Sequence, residues 1–139
     1  MFYWSAAQFD KTYIMTQLVV KYPTLVRLGQ LANIIITEKS LCDGYSRLTM
    51  IRLVGTSGQS EMIRAEDFRL AVDPMGRKIR STICQITSKG NNWVFFSGRG
   101  FGHGVGMCQY GAQSMARQGN TYRKILGYYY PGSTITKLY

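Results

Sequence analysis

One nine-residue run constrains this chain more than any other: Gly98-Arg99-Gly100-Phe101-Gly102-His103-Gly104-Val105-Gly106. Glycine alternates with a side-chain residue throughout, and His103 is the chain's single histidine. Each glycine loses extra backbone entropy when ordered, so a folded chain gathers them only where the backbone requires it. An extended run would be bare on its glycine side and would send Arg99, Phe101, His103 and Val105 the other way. A saccharide, a phosphate or another backbone fits against such a face. The competing expectation is a crowded turn in which Cβ atoms have no room.

The 139 residues suit one domain, and 45% hydrophobic content is enough for a core, which argues against disorder. No apolar stretch approaches the roughly 20 residues of a membrane-spanning helix. Met1-Phe2-Tyr3-Trp4-Ser5 lacks the order of a secretory signal. The chain is therefore expected either to stay inside the cell or to be a piece of a longer exported protein. Three cysteines, Cys42, Cys84 and Cys108, make an odd set with no Cys-x-x-Cys pair, against a disulfide scaffold and a closed zinc site. The net charge is +10 and unevenly placed: residues 1–70 hold eight Lys/Arg and six Asp/Glu, residues 71–139 nine and one. That second half suits an anionic partner such as nucleic acid, anionic lipid or bacterial cell wall. The cations are scattered, which weakens the nucleic-acid reading and equally fits a solvated face.

Periodicity predicts a helix over 9–22 ended by Pro23, a strand over 32–37 around Ile34-Ile35-Ile36, and a turn at Asp43-Gly44. Residues 47–54 alternate, with Leu48, Met50 and Arg52 on one face and Thr49, Ile51 and Leu53 on the other. Gly55-Thr56-Ser57-Gly58 suits a hairpin return. A short helix over 65–72 turns Phe68 and Val72 inward. Strands over 81–87 and 93–97, joined at Gly90-Asn91-Asn92, form a hairpin that delivers the glycine run to a sheet end. A helix over 106–118, with Gly119 past its end, leads into a second from Asn120 or Thr121 to about Tyr129. Residues 135–139 read as a final strand. The expected fold is α+β: an antiparallel sheet, open or partly closed, with three or four short helices.

Cys108 in the first turn of a helix starting near Gly106 would have a lowered thiol pKa, and His103 lies five residues before it, as a Cys–His nucleophile would need. A small core cysteine beside Ala112 and Met115 is the more economical reading. Zinc at His103 and Cys108 would also need Cys42 or Cys84. The run contains neither Gly-x-Gly-x-x-Gly nor a Gly-Lys-Ser/Thr ending, so no nucleotide motif is present. Acid–base work on a glycosidic bond needs a carboxyl group, and Asp73 is the last in the chain. Trp93, Phe95, Phe101 and the Tyr128-Tyr129-Tyr130 triplet offer aromatic faces, most of them for core packing, with Tyr128 and Tyr130 the exposed members.

Residues 98–112, ending Met107-Cys108-Gln109-Tyr110-Gly111-Ala112, closely resemble the signature of the stage II sporulation protein D family, also called the amidase-enhancer family. Met115-Ala116, Gly119, Tyr122, Ile125-Leu126 and Tyr129-Tyr130-Pro131-Gly132 continue the likeness. Phe68-Arg69 and Ile79-Arg80-Ser81-Thr82 resemble the family's upstream elements. The resemblance is firm from about Phe68 onward and looser from about Tyr3. It implies lytic transglycosylase work on peptidoglycan glycan strands stripped of stem peptides, or stimulation of wall amidases. One carboxylic acid suffices for that reaction, protonating the leaving oxygen and then aiding the sugar's own hydroxyl. The family's catalytic glutamate lies in an upstream helical segment with no counterpart here, as does the zinc site of some members. Cys108 stands where the family commonly has serine. The expectation is therefore a C-terminal portion of such a domain, with no cofactor, no metal and no assigned catalytic residue. It would bind glycan strands through Arg99, His103, Gln109 and Tyr110, supported by Ser81 and Arg69. A non-catalytic wall-binding or amidase-activating module is the alternative.

Overall fold

Asp10 sets the start of the first helix. Its Oδ1 accepts from the backbone N–H groups of Thr12 (2.8 Å) and Tyr13 (3.1 Å), filling two of the donors that a helix start leaves open. The structure, a computed structural model, describes residues 2–42, 44–104, 107 and 109–138. They fall into two units, Met1–His103 and Gly104–Tyr139.

In the first unit, strands β1 (Tyr3–Trp4) and β2 (Ala7–Asp10) precede helix α1 (Lys11–Lys21), which buries Ile14, Met15 and Leu18. The helix expected over 9–22 starts later because Phe9 pairs with Trp93 as part of a strand. Pro23 ends α1 and opens a 3-10 helix, Pro23–Leu28. Strands β3 (Leu31–Cys42), β4 (Tyr45–Gly55) and β5 (Ser60–Arg64) form one open antiparallel sheet in that order. Helix α2 (Ala65–Val72) follows directly, with Phe68 and Val72 buried as its spacing predicts. Strands β6 (Ile83–Lys89) and β7 (Asn92–Arg99) make the expected hairpin. β7 is central to the second sheet, flanked by β6 on one side and by β1 and β2 on the other. Both sheets are open, and the chain is α+β.

One correction concerns β4. Glu38 pairs with Met50 and Lys39 with Leu48, so Thr49 is extra. This bulge shifts the inward face by one residue. Leu48, Ile51 and Leu53 are therefore all buried, rather than Leu48 facing away from the other two. The two sheets meet where Leu48 N–H donates to Thr82 C=O at 2.9 Å. The core joins both sheets to α1 and α2 through Leu18, Leu28, Ile51, Leu53, Phe68, Val72, Ile79 and Phe95. Each such side chain contributes about 1.5–3 kcal/mol of burial.

In the second unit, helix α3 spans Gln109–Arg117 and helix α4 Tyr122–Tyr129. Gly119 turns left-handed (φ 85°) after α3, and the Thr121 hydroxyl caps α4 by accepting from Lys124 N–H. Of the helix expected over 106–118, α3 accounts for Gln109–Arg117; residues 106 and 108, where its start was expected, lie outside the described residues. The final strand expected over 135–139 is absent among the described residues: 133–138 carry no regular structure, and Leu138 is 89% exposed. β-branched residues favour a strand only when a neighbouring strand is there to pack against.

Candidate functional site

The glycine run begins where the end of β7 leaves the sheet. Gly100, Gly102 and Gly104 have φ of 71°, 81° and 68°. Every second residue is thus left-handed, which corrects the expected bare, extended face: glycine is needed here for its backbone freedom. Val105 and Gly106 lie outside the described residues. Gly98 serves a different end. Its φ is not positive, but a Cβ there would fall inside the Trp4 indole ring, meeting Cε2, Cδ2 and Cζ2.

Both sides of the ribbon are pinned. Gly100 N–H donates to Phe2 C=O (2.6 Å) and Gly102 N–H to Arg80 C=O (2.8 Å). Ser81 forms a parallel bridge to Gly102, and its hydroxyl donates to Arg99 C=O while accepting from Ile83 N–H at 3.2 Å. Ser81 is fully buried. It positions the ribbon and does not offer its hydroxyl to a ligand.

Arg99 is held against two tyrosines. Its guanidinium carbon lies 4.7 Å from the Tyr3 ring centroid and 4.2 Å from that of Tyr45, and Nη1 donates to the Tyr3 hydroxyl at 2.9 Å. Tyr3 is the cross-strand partner of Arg99, which explains one stack. Tyr45 arrives from the other sheet. Phe101 is half exposed and packs on Phe2 with centroids 4.4 Å apart, and the Arg80 guanidinium lies 5.2 Å from both rings. His103, exposed, closes the first unit. Tyr3, Tyr45 and Phe2 were not singled out by sequence reasoning, and Arg80 only as part of the Ile79-Arg80-Ser81-Thr82 resemblance. They reach the site only through pairings that span much of the chain.

Arg69 lies one layer below. Its Nε and Nη2 grip Glu66 at 2.9 and 2.5 Å, and Nη1 donates to Ile79 C=O at 2.8 Å. Asp73 Oδ2 accepts from Lys78 N–H (2.7 Å) and Ile79 N–H (2.8 Å). Arg69 is buried and acts through the loop that carries Ser81. Of the six described carboxylates, Asp10 caps α1, Glu61 pairs with Arg27, Glu66 with Arg69 and Asp67 with Arg64, Asp73 holds the loop, and Glu38 is exposed on β3.

The remaining candidates belong to the second unit. Gln109 is exposed at the first position of α3. Tyr110 is described only by its place in that helix, and Cys108, with the thiol and zinc readings built on it, lies outside the described residues. Among the described residues no three His, Cys, Asp or Glu side chains gather as a metal site. Tyr130 accepts from Met107 N–H at 3.0 Å, which ties the loop before α3 to the end of α4. Trp93 and Phe95 are core residues, while Tyr128 and Tyr130 are exposed, as the sequence suggests.

Cys84 is a buried thiol. Desolvation pushes its pKa up from 9.0 to about 12, against a smaller opposing pull from Arg69. In a Cys42→Ser, Cys108→Ser variant, iodoacetamide at pH 8 should alkylate it at under about one hundredth of the unfolded rate. Because the folded pKa is raised, its contribution to stability is complete below pH 9 and falls away as pH rises from 9 toward 12. Rapid native alkylation, or stability that is flat across that window, would refute the burial.

No known family profile matches the chain. It is 58% identical over 55 residues to the "Amidase enhancer" of Bacillus subtilis, a stretch covering 40% of this chain and 7% of that protein. It is 59% identical over 39 residues to "Stage II sporulation protein D" of the same organism, covering 28% of this chain and 11% of the relative. An uncharacterized protein of Brachyspira hyodysenteriae is 38% identical over 73 residues, or 52% of this chain and 19% of that one. The chain thus spans a small part of the length of the curated relatives it matches.

Proposed function

Since the chain is related, over part of its length, to the stage II sporulation protein D and amidase-enhancer family, we propose that it works in bacterial cell-wall remodelling or sporulation, as a module that engages peptidoglycan glycan strands outside the cytoplasm. The observation that carries this reading is the Arg99 guanidinium held against the rings of Tyr3 and Tyr45 on a ribbon fixed by Ser81. Saccharides are recognised by flat aromatic faces beside planar hydrogen-bond donors that are already in place. Arg99 would hydrogen-bond ring substituents and His103 would orient the strand. Gln109 and Tyr110 of the second unit would make contacts of their own with the glycan. Arg69 and Ser81 would keep the ribbon in shape.

The family's transglycosylase chemistry requires a poised acid, and five of the described carboxylates already have structural partners. The proposed part played by Arg99 and His103 is therefore orientation and charge stabilisation, with proton transfer left to another group. In a pull-down with purified, peptide-stripped glycan strands, Arg99→Ala should weaken retention about tenfold and His103→Ala severalfold. Retention unchanged in both variants would remove the ribbon from the account. The chain alone should release no anhydro-sugar ends, and efficient release would show that one of its own carboxylates is the acid.

A second reading is favoured by the name of the first relative, an amidase enhancer. On that reading the chain presents glycan to a wall amidase. Adding it to an amidase acting on intact wall should raise the rate of stem-peptide release, and Arg99→Ala should abolish the increase.

A further inference from the structure

A recess in the first unit borders the ribbon at Arg80 but is lined by other residues. Residues 4–8, where the chain passes from β1 to β2, face Arg77, Lys78 and Arg80 across a cleft of about 360 Å³. We infer that this cleft is an oxyanion subsite, which takes the phosphate or carboxylate carried by a saccharide or polyol chain.

Three observations support it. The first is charge. Three cations fall within four residues, no carboxylate lines the cleft, and Arg77 and Lys78 are exposed. The one acid of that stretch, Asp73, is buried and gives its Oδ2 to the Lys78 and Ile79 N–H groups. The second is rigidity. Arg69 fixes Ile79 C=O and Arg80 Nε donates to Arg77 C=O at 3.1 Å. The loop is therefore already shaped, which lowers the ordering cost of binding. The third is size. The cleft is several times larger than a bare anion, within the range of small-molecule sites. Arg80 leads out of it to the exposed Phe2–Phe101 pair, a surface on which a polyol or sugar can lie. Guanidinium groups meet either oxyanion through paired N–H donors, so the cleft recognises the class, and the rest of the polymer decides between members.

The test uses the full chain with three probes at fixed ionic strength: a glycerol-phosphate oligomer, a uronic acid oligomer and a neutral chitin oligomer of similar length. The wild type should bind at least one anionic probe at least tenfold more tightly than the neutral one. Arg77→Gln with Lys78→Gln should erase that preference while leaving chitin-oligomer binding unchanged. Loss of neutral-glycan binding instead belongs to Arg99, so the two readings fail separately. Lys39→Gln with Lys89→Gln removes the same charge from exposed positions away from the cleft and should change affinity by less than twofold. Tighter binding of the phosphate oligomer identifies a phosphodiester as the ligand, and of the uronic acid oligomer a carboxylate. Equal losses in both double variants would reduce the effect to net charge and overturn the site, as would the absence of any anionic preference.

Discussion

Gly98→Ala is expected to destabilise the first unit by about 3 kcal/mol, through overpacking with no route for relief. For a unit of this size that corresponds to a fall in Tm of roughly 15 °C. The added methyl would lie inside the Trp4 indole, and Trp4 is itself buried. It cannot swing aside without uncovering the core between β1 and β7. Gly100→Ala and Gly102→Ala make the informative contrast. Both positions have open space where a methyl would go and both have positive φ, so their penalty is backbone strain alone, about 1–2 kcal/mol each. Thermal melts of the three variants, with Gly98→Ala repeated in a Trp4→Ala background, separate the causes. The Gly98 penalty should largely vanish in that background. If Gly98→Ala proved as mild as the other two, the close packing of Trp4 on the ribbon would be wrong.

Arg69→Met should cost about 2–3 kcal/mol: Arg69 is buried, while Glu66 keeps some contact with water, so the loss falls below that of a fully buried pair. Glu66 would lose two hydrogen bonds and Ile79 C=O its donor. Arg69→Lys should recover little, because an ammonium cannot reach two carboxylate oxygens and a carbonyl at once. Urea unfolding gives the stability. Retention on glycan strands should weaken as well, since the loop that Arg69 holds carries Ser81. A stability loss below about 1 kcal/mol would show that the pair is no stronger than a surface ion pair.

The parts of the fold written in local signals were legible. Residues 65–72 have helical spacing, Gly90-Asn91-Asn92 marks the β6–β7 turn, and Thr121 and Pro131 bracket α4. The bulge at Thr49 was not, because alternation is read by counting in twos and one inserted residue reverses every later assignment. Strands β1 and β2 have only two and four residues, and both depend on β7 some ninety positions away. The strand expected over 135–139 finds no strand neighbour among the described residues. In the site, Arg69, Ser81 and Arg99 emerged from sequence as separate candidates and proved to be connected: Arg69 to Ile79, Ser81 to Arg99. What sequence could not supply was the pair of tyrosine contacts, because Tyr3 and Tyr45 have no local reason to meet Arg99.

The bond from Gly100 N–H to Phe2 C=O closes a loop of nearly the whole first unit. Closing so long a loop costs entropy that only the completed packing returns. In refolding from denaturant, the stacking of Arg99 on Tyr3 and of Phe101 on Phe2 should therefore be among the last features of the first unit to form. Anything that held residues 2–4 off β7 would leave both contacts open while the rest of the core closed.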